Sequence, residues 1–104
     1  MKYTLHFLPE VEEDAFDSYA WYEAKVRGLG EEFLRILYAC SAELTRKPLL
    51  YPKVYHEFRR CLLRRFPHAI YYRVEGDKIF VFGVFHCARE PGAIKTRLLN
   101  RSIP

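Results

Sequence analysis

Two clusters in this chain are of residue types that act on anions. Arg59–Arg60 and Arg64–Arg65 are arginine pairs close together, and His86 and Arg89 follow a strongly apolar run. Cleaving a phosphodiester needs a base for the attacking hydroxyl, cations for the charge that develops on phosphate, and an acid for the leaving group. His86 has the type for acid or base, Arg59, Arg65, Arg73 and Arg89 for the cations, and Glu57 or Tyr72 for a supporting part. The same arginines suit a simpler task, gripping an acidic protein segment. Each residue also has a bland reading. His86 is then a hydrogen-bonded structural histidine, Arg89 a clamp on the turn at Glu90 and Pro91, Tyr71 and Tyr72 packing, and the arginine pairs a solvated strand. A metal is not expected: His86 and Cys87 are adjacent, so they face apart on a strand, and no further ligand pair has zinc-site spacing. No cofactor is expected either.

The elements that position these residues come from one domain spanning residues 1–104, long enough to bury a core without disulfides or metal. Half the residues are hydrophobic, which argues against disorder. Net charge is +4, unevenly spread: acids crowd Glu10 to Asp14, and cations crowd Arg59 to Arg65 and Lys95 to Arg101. That local basicity suits an anionic partner, either nucleic acid or an acidic peptide. Three cysteines without a CxxC pair, no signal peptide and no membrane-length apolar run predict a reduced, cytoplasmic protein with no membrane partner.

Lys2 to Leu8 alternates as a half-buried strand. Pro9 opens a helix predicted to reach Arg27, with acids in its first turns and Gly28 as its left-handed stop. A second helix starts near Gly30, carries the stripe Phe33, Ile36, Leu37, Cys40 and Leu44, and ends before Pro48. The short link predicts an antiparallel helical hairpin. Leu49 to Glu57 reads as a connector. Phe58 to Phe66 reads as a strand whose arginine pairs split between its faces. Ala69 to Glu75 is a second strand, Gly76 turns the chain, and Lys78 to Phe85, apolar on both faces, is the central strand. Gly83 suggests a bulge or close approach. Ala93 to Leu99 reads as a short basic helix, and Asn100 to Pro104 as a loose tail. The order β-α-α-β-β-β predicts an α+β fold. The first strand rejoins parallel to the last, the hairpin packs on one face of a curved, mainly antiparallel sheet, and the other face stays open to display Tyr71 and part of the arginine set.

With these residues in place, the chain resembles the RelE/ParE superfamily of type II toxin–antitoxin toxins over nearly its whole length. The resemblance rests on Arg59–Arg60, Leu63-Arg64-Arg65-Phe66-Pro67, Ile70-Tyr71-Tyr72, Val84-Phe85-His86 and Arg89-Glu90-Pro91. It is nearest to the ParE-like branch of plasmid stabilisation proteins, whose pattern is R-x-L-x-x-R-F-P-Y-x-I-x-Y and then V-x-H-x-x-R-D-P. His68 stands where Tyr is usual, and Glu90 where Asp is usual. The resemblance implies a cognate antitoxin encoded beside the toxin, and either a homodimer or a hetero-oligomer with it. For the target it implies DNA gyrase, inhibited by protein binding. The alternatives are ribosome-dependent mRNA cleavage, with His86 and Arg89 catalytic, or a toxin fold without target activity. Two features weigh against the nuclease: Ala69 stands where such nucleases carry arginine, and no aromatic residue follows His86. The residues expected to contact target or antitoxin are Arg59, Arg60, Arg64, Arg65, Tyr71, Arg73, Lys95, Arg97 and Arg101.

Overall fold

The structure is a computed structural model that describes residues 2–104. Its elements are β1 (Thr4–Phe7), α1 (Pro9–Lys25), α2 (Leu29–Glu43), β2 (Lys53–Tyr55), β3 (Phe58–Leu62), β4 (His68–Glu75), β5 (Lys78–His86) and α3 (Pro91–Leu99). They form one five-stranded sheet in the order β1-β5-β4-β3-β2. β1 lies parallel to β5, and every other pairing is antiparallel. The α1–α2 hairpin packs on one face of the sheet, as the pattern predicts. Gly28 takes φ +87° between the helices, and the Glu23 carboxylate accepts the N–H groups of Gly28 and Gly30 at 2.8 and 2.9 Å. Phe33, Leu37 and Cys40 of α2, and Leu44 that caps it, are buried with Ile70, Tyr72, Ile79 and Val81 of the sheet. The Tyr72 hydroxyl donates to the Pro48 carbonyl at 2.6 Å and pins the end of the hairpin to β4.

Three expectations are corrected. The connector contains a short edge strand, β2, because Lys53 and Tyr55 pair with Arg59 and Phe58. The strand predicted to run to Phe66 stops at Leu62, and Arg65 adopts φ +69° in the bend that follows. Arg64 and Arg65 therefore leave the sheet instead of splitting between its faces. The second face is not open: α3 lies across it and buries Ile94 and Leu98, and Tyr71 is only 5% exposed. That face carries an aromatic row, Phe58, Tyr71, Phe82 and Phe85, whose exposure would cost more than covering it with an amphipathic turn of chain.

The feature that sets which residue faces where is a bulge in β5. Tyr71 pairs with Gly83 but Tyr72 pairs with Val81, so Phe82 is an extra residue. Alternation restarts one residue out of phase beyond it. Gly83 is required there, since a Cβ would sit 2.5 Å from the Phe85 ring and 3.0 Å from the Arg101 guanidinium. The bulge also falls where β5 loses its neighbour: the β1 side ends with the Leu8 N–H bonded to the Val81 carbonyl. Asp14 of α1 accepts the Val84 N–H at 3.2 Å. Arg101 donates to the Phe82 carbonyl at 2.8 Å and makes a two-pronged pair with Asp14 at 2.6 and 2.9 Å. The segment read as a loose tail is thus anchored through a buried ion pair. Replacing Arg101 by methionine leaves the Asp14 carboxylate buried without its partner, and a loss of about 3 kcal/mol in urea denaturation is expected. Asp14→Asn combined with Arg101→Met should cost less than the two single changes summed. A single-mutant loss below about 1 kcal/mol would show that the sheet edge is held by something else.

Candidate functional site

The chain leaves β5 at His86 and turns within four residues into α3. The turn is held by the Arg89 N–H on the His86 carbonyl at 3.0 Å and the Ala88 N–H on His86 Nδ1 at 2.9 Å. Pro91 then starts α3, which runs back over the aromatic row. Between α3 and the β3–β4 side of the sheet lies a groove of about 110 Å³, lined by Tyr55, Arg60, Tyr71, Cys87, Arg89 and Lys95 over an apolar base of Ile94 and Leu98. Three cations face this space and no carboxylate does. Arg60 makes no ion pair among the described residues. Lys95 lies 4.9 Å above the Tyr55 ring and Arg89 5.4 Å above Phe85, cation–π contacts that leave their charge available to an anion. Arg97 lies on the exposed side of the same helix.

The rest of the arginine set is dispersed. Arg59 donates to the carbonyls of Leu49 and Tyr51 at 3.2 and 2.6 Å and ties the connector to β3. Arg64 pairs with Glu43 at 3.1 Å, and Arg65 pairs with Glu32, so both guanidinium groups lie against the hairpin. Arg73 pairs with Glu75 at 2.8 Å and covers the Phe58 and Phe82 rings. Arg101 is committed to Asp14. Tyr71 is packed against Phe85 rather than displayed, with its ring at the edge of the groove. Of the nine contact residues expected from sequence, Arg60, Tyr71 and Lys95 come together in the groove and Arg97 stands beside them. Arg89 joins them from the expected catalytic pair.

His86 lies elsewhere. It pairs with His68, and the two rings meet edge to face at 5.1 Å. His68 packs against Tyr22 and Phe33 of the hairpin, so both histidines are on the hairpin face. The groove cations Arg60 and Lys95 are on the other. His68 is buried, with Ser18 Oγ 3.3 Å from Nε2 and the Tyr22 hydroxyl 3.5 Å from Nδ1. Burial, and secondarily the neighbouring His86, lowers its pKa from 6.5 to about 4. Sequence reasoning missed Asp14 and the role of His68. A signal existed for Asp14, an acid inside the apolar spacing of Val11 and Ala15. For His68 there was the departure from the usual tyrosine.

The family described as ParE toxin of type II toxin-antitoxin system, parDE, matches residues 5–91. Among solved structures, a chain of a chromosomal ParDE TA system from P. aeruginosa superposes with TM-score 0.71 at 18% identity, covering 82% of this chain and 96% of that one. The E. coli toxin RelE, as a double arginine-to-alanine mutant in the free state, gives TM-score 0.61 at 18% identity over 95% of this chain and 96% of that one. At these identities the structures show the shared fold. No curated protein matches the sequence.

The buried His68 makes stability depend on pH. The unfolded chain takes up this proton as pH falls through 6.5, while the folded chain resists until about 4. Stability should therefore fall as pH drops from 6.5 to 4, by a total of about 3 kcal/mol from this group. Urea midpoints measured across that window check it, with His68→Phe losing this part of the slope. An unchanged slope in the variant would assign the effect to other groups.

Proposed function

The chain belongs to the ParE toxin family of type II toxin–antitoxin systems, and on that premise we propose that it inhibits DNA gyrase by binding it through the basic groove and the exposed side of α3. The observation that carries this reading is that Arg60 and Lys95 stand on the sheet face opposite His86, with Arg89 alone, at the turn between them, lining both sides. Arg60, Arg89 and Lys95 line a groove that contains no histidine and no carboxylate. His86, the residue best suited to move a proton, is turned to the opposite face of the sheet. A phosphodiester held by Arg60 and Lys95 would have no base beside it, whereas an acidic protein segment needs only the cations and the tyrosine rim. Ala69, fully buried in β4, supplies nothing to a phosphate.

The cognate antitoxin that such a toxin requires has a surface of opposite sign. On the outer side of the α1–α2 hairpin a groove of about 520 Å³ is lined by Phe16, Tyr19, Leu34 and Tyr38 with Glu12 and Glu13. Phe16 and Tyr38 are large side chains left exposed there. An amphipathic antitoxin segment with apolar anchors and basic flanks fits this chemistry. A gyrase target and an antitoxin partner both support a cytoplasmic site of action. Among the described residues no helix is long and apolar enough to cross a membrane.

A plasmid supercoiling assay with purified gyrase tests the target. Arg60→Glu with Lys95→Glu should weaken inhibition at least about tenfold through charge reversal, while His86→Ala stays within about twofold of the parent. Loss of activity in His86→Ala, together with blocked translation in a cell-free extract, would instead assign the protein to mRNA cleavage. For the antitoxin, Phe16→Asp should weaken the complex by about 2 kcal/mol, or about thirtyfold in Kd, if that ring is an interface anchor. Titration calorimetry that finds Kd unchanged would move the antitoxin to another surface.

A further inference from the structure

The cleft on the His86 side of the sheet is chemically unlike the basic groove. It offers about 270 Å³ between α1 and the turn after β5, just below the usual range for small-molecule sites. Asp17, Ser18 and Trp21 line it from α1, His86 and Arg89 from the turn, and buried His68 lies between them. Trp21 follows Asp17 by one helical turn, so the two share a face of α1. Its side chain is 58% exposed, an unusual position for the largest apolar ring in the chain. Lys25 lies over one face of the ring, 4.7 Å from its centroid, and Tyr22 makes a T-shaped contact with it at 5.0 Å, which leaves the rest of the ring to solvent. An exposed aromatic ring beside cations is a platform for a planar base.

The polar groups divide by role. His86 Nδ1 accepts the Ala88 N–H, so in the neutral ring the proton sits on Nε2 and can be donated. Together with the Arg89 guanidinium this makes an anion-binding end. Asp17 sits among the α1 residues with Trp21, where it would repel a small anion and accept hydrogen bonds from a donor-bearing ring. The ligand must then carry its negative charge at one end and adjacent N–H donors on a planar ring at the other. Guanine presents two neighbouring N–H groups on its Watson–Crick edge, a match for the two oxygens of a carboxylate. We infer that this cleft binds guanosine 5′-monophosphate or a nucleotide of that class, with the base on Trp21, its donor edge on Asp17 and the phosphate at His86 and Arg89. The cleft shares Arg89 with the basic groove and lies otherwise on the opposite face of the sheet.

Trp21 is the only tryptophan in the chain, so its fluorescence reports on the cleft directly. Titrating the full-length protein with GMP should quench it saturably, with a Kd of about 1 mM or tighter. Guanosine and inorganic phosphate, each carrying one half of the ligand, should bind at least about tenfold more weakly, and so should AMP, whose edge lacks the paired donors. Asp17→Asn and Arg89→Gln should each raise the GMP Kd about tenfold with the melting temperature unchanged, because both side chains are exposed. A response to GMP that does not saturate, or a Kd that neither substitution alters, overturns the inference. Equal affinity for AMP overturns the assignment of guanine.

Discussion

The pair formed by Asp14 and Arg101 holds together the part of the structure on which everything else depends. The central strand β5 has a neighbour on both sides only as far as Val81, where β1 gives way to α1. Beyond that point its backbone would be an unsatisfied edge at the centre of the core. One carboxylate from α1 and one guanidinium from beyond α3 take over, binding the Val84 N–H and the Phe82 carbonyl while neutralising each other. The pair also joins the two layers that sandwich the sheet. It fixes the hairpin on one face and the C-terminal segment on the other.

The same place carries the bulge, and the bulge decides the chemistry of the surface. With plain alternation through β5, His86 would share a face with Phe80 and Phe82, over which Arg73 lies. One additional residue, accommodated because Gly83 has no side chain, turns His86 toward α1 and Phe85 toward α3. Arg60 and Lys95 are thereby separated from the His86 imidazole by the thickness of a sheet, and only Arg89, at the turn, lines both sides. The groove that remains is a site of charge and aromatic contact, suited to holding a partner. The cleft on the other side keeps the hydrogen-bonding groups.

The basic character of the chain is less available than its composition suggests. Arg64 and Arg65 meet acids of α2, Arg73 meets Glu75, and Arg101 meets Asp14. Arg60 on β3 and Lys95 and Arg97 on α3 make no ion pair among the described residues, and they lie on one side of the sheet. The acids Glu12 and Glu13, by contrast, stand beside exposed aromatic rings on the hairpin. The molecule therefore presents surfaces of opposite sign on opposite sides, which suits binding two different partners.

Much of this was legible in the sequence. The helical hairpin followed from the spacing of Phe33, Ile36, Leu37 and Cys40, and from Gly28 between the helices, because a 3.6-residue period and a left-handed stop are local properties. The parallel return of β1 beside β5 followed from element order and the all-apolar run from Ile79 to Phe85. The toxin family followed from residues on β3, β4 and β5 taken together. What the sequence did not decide was the partner of each charge. Arg101 and Asp14 are far apart in the chain, and nothing local marks them as a pair. Nor did it decide the face of His86, because a strand's alternation is read by counting, and a bulge becomes visible only when the register of β4 against β5 is known. Local periodicity determined the elements and their order. The long-range backbone pairing of β5, and the one residue it could not pair, decided which side chains meet.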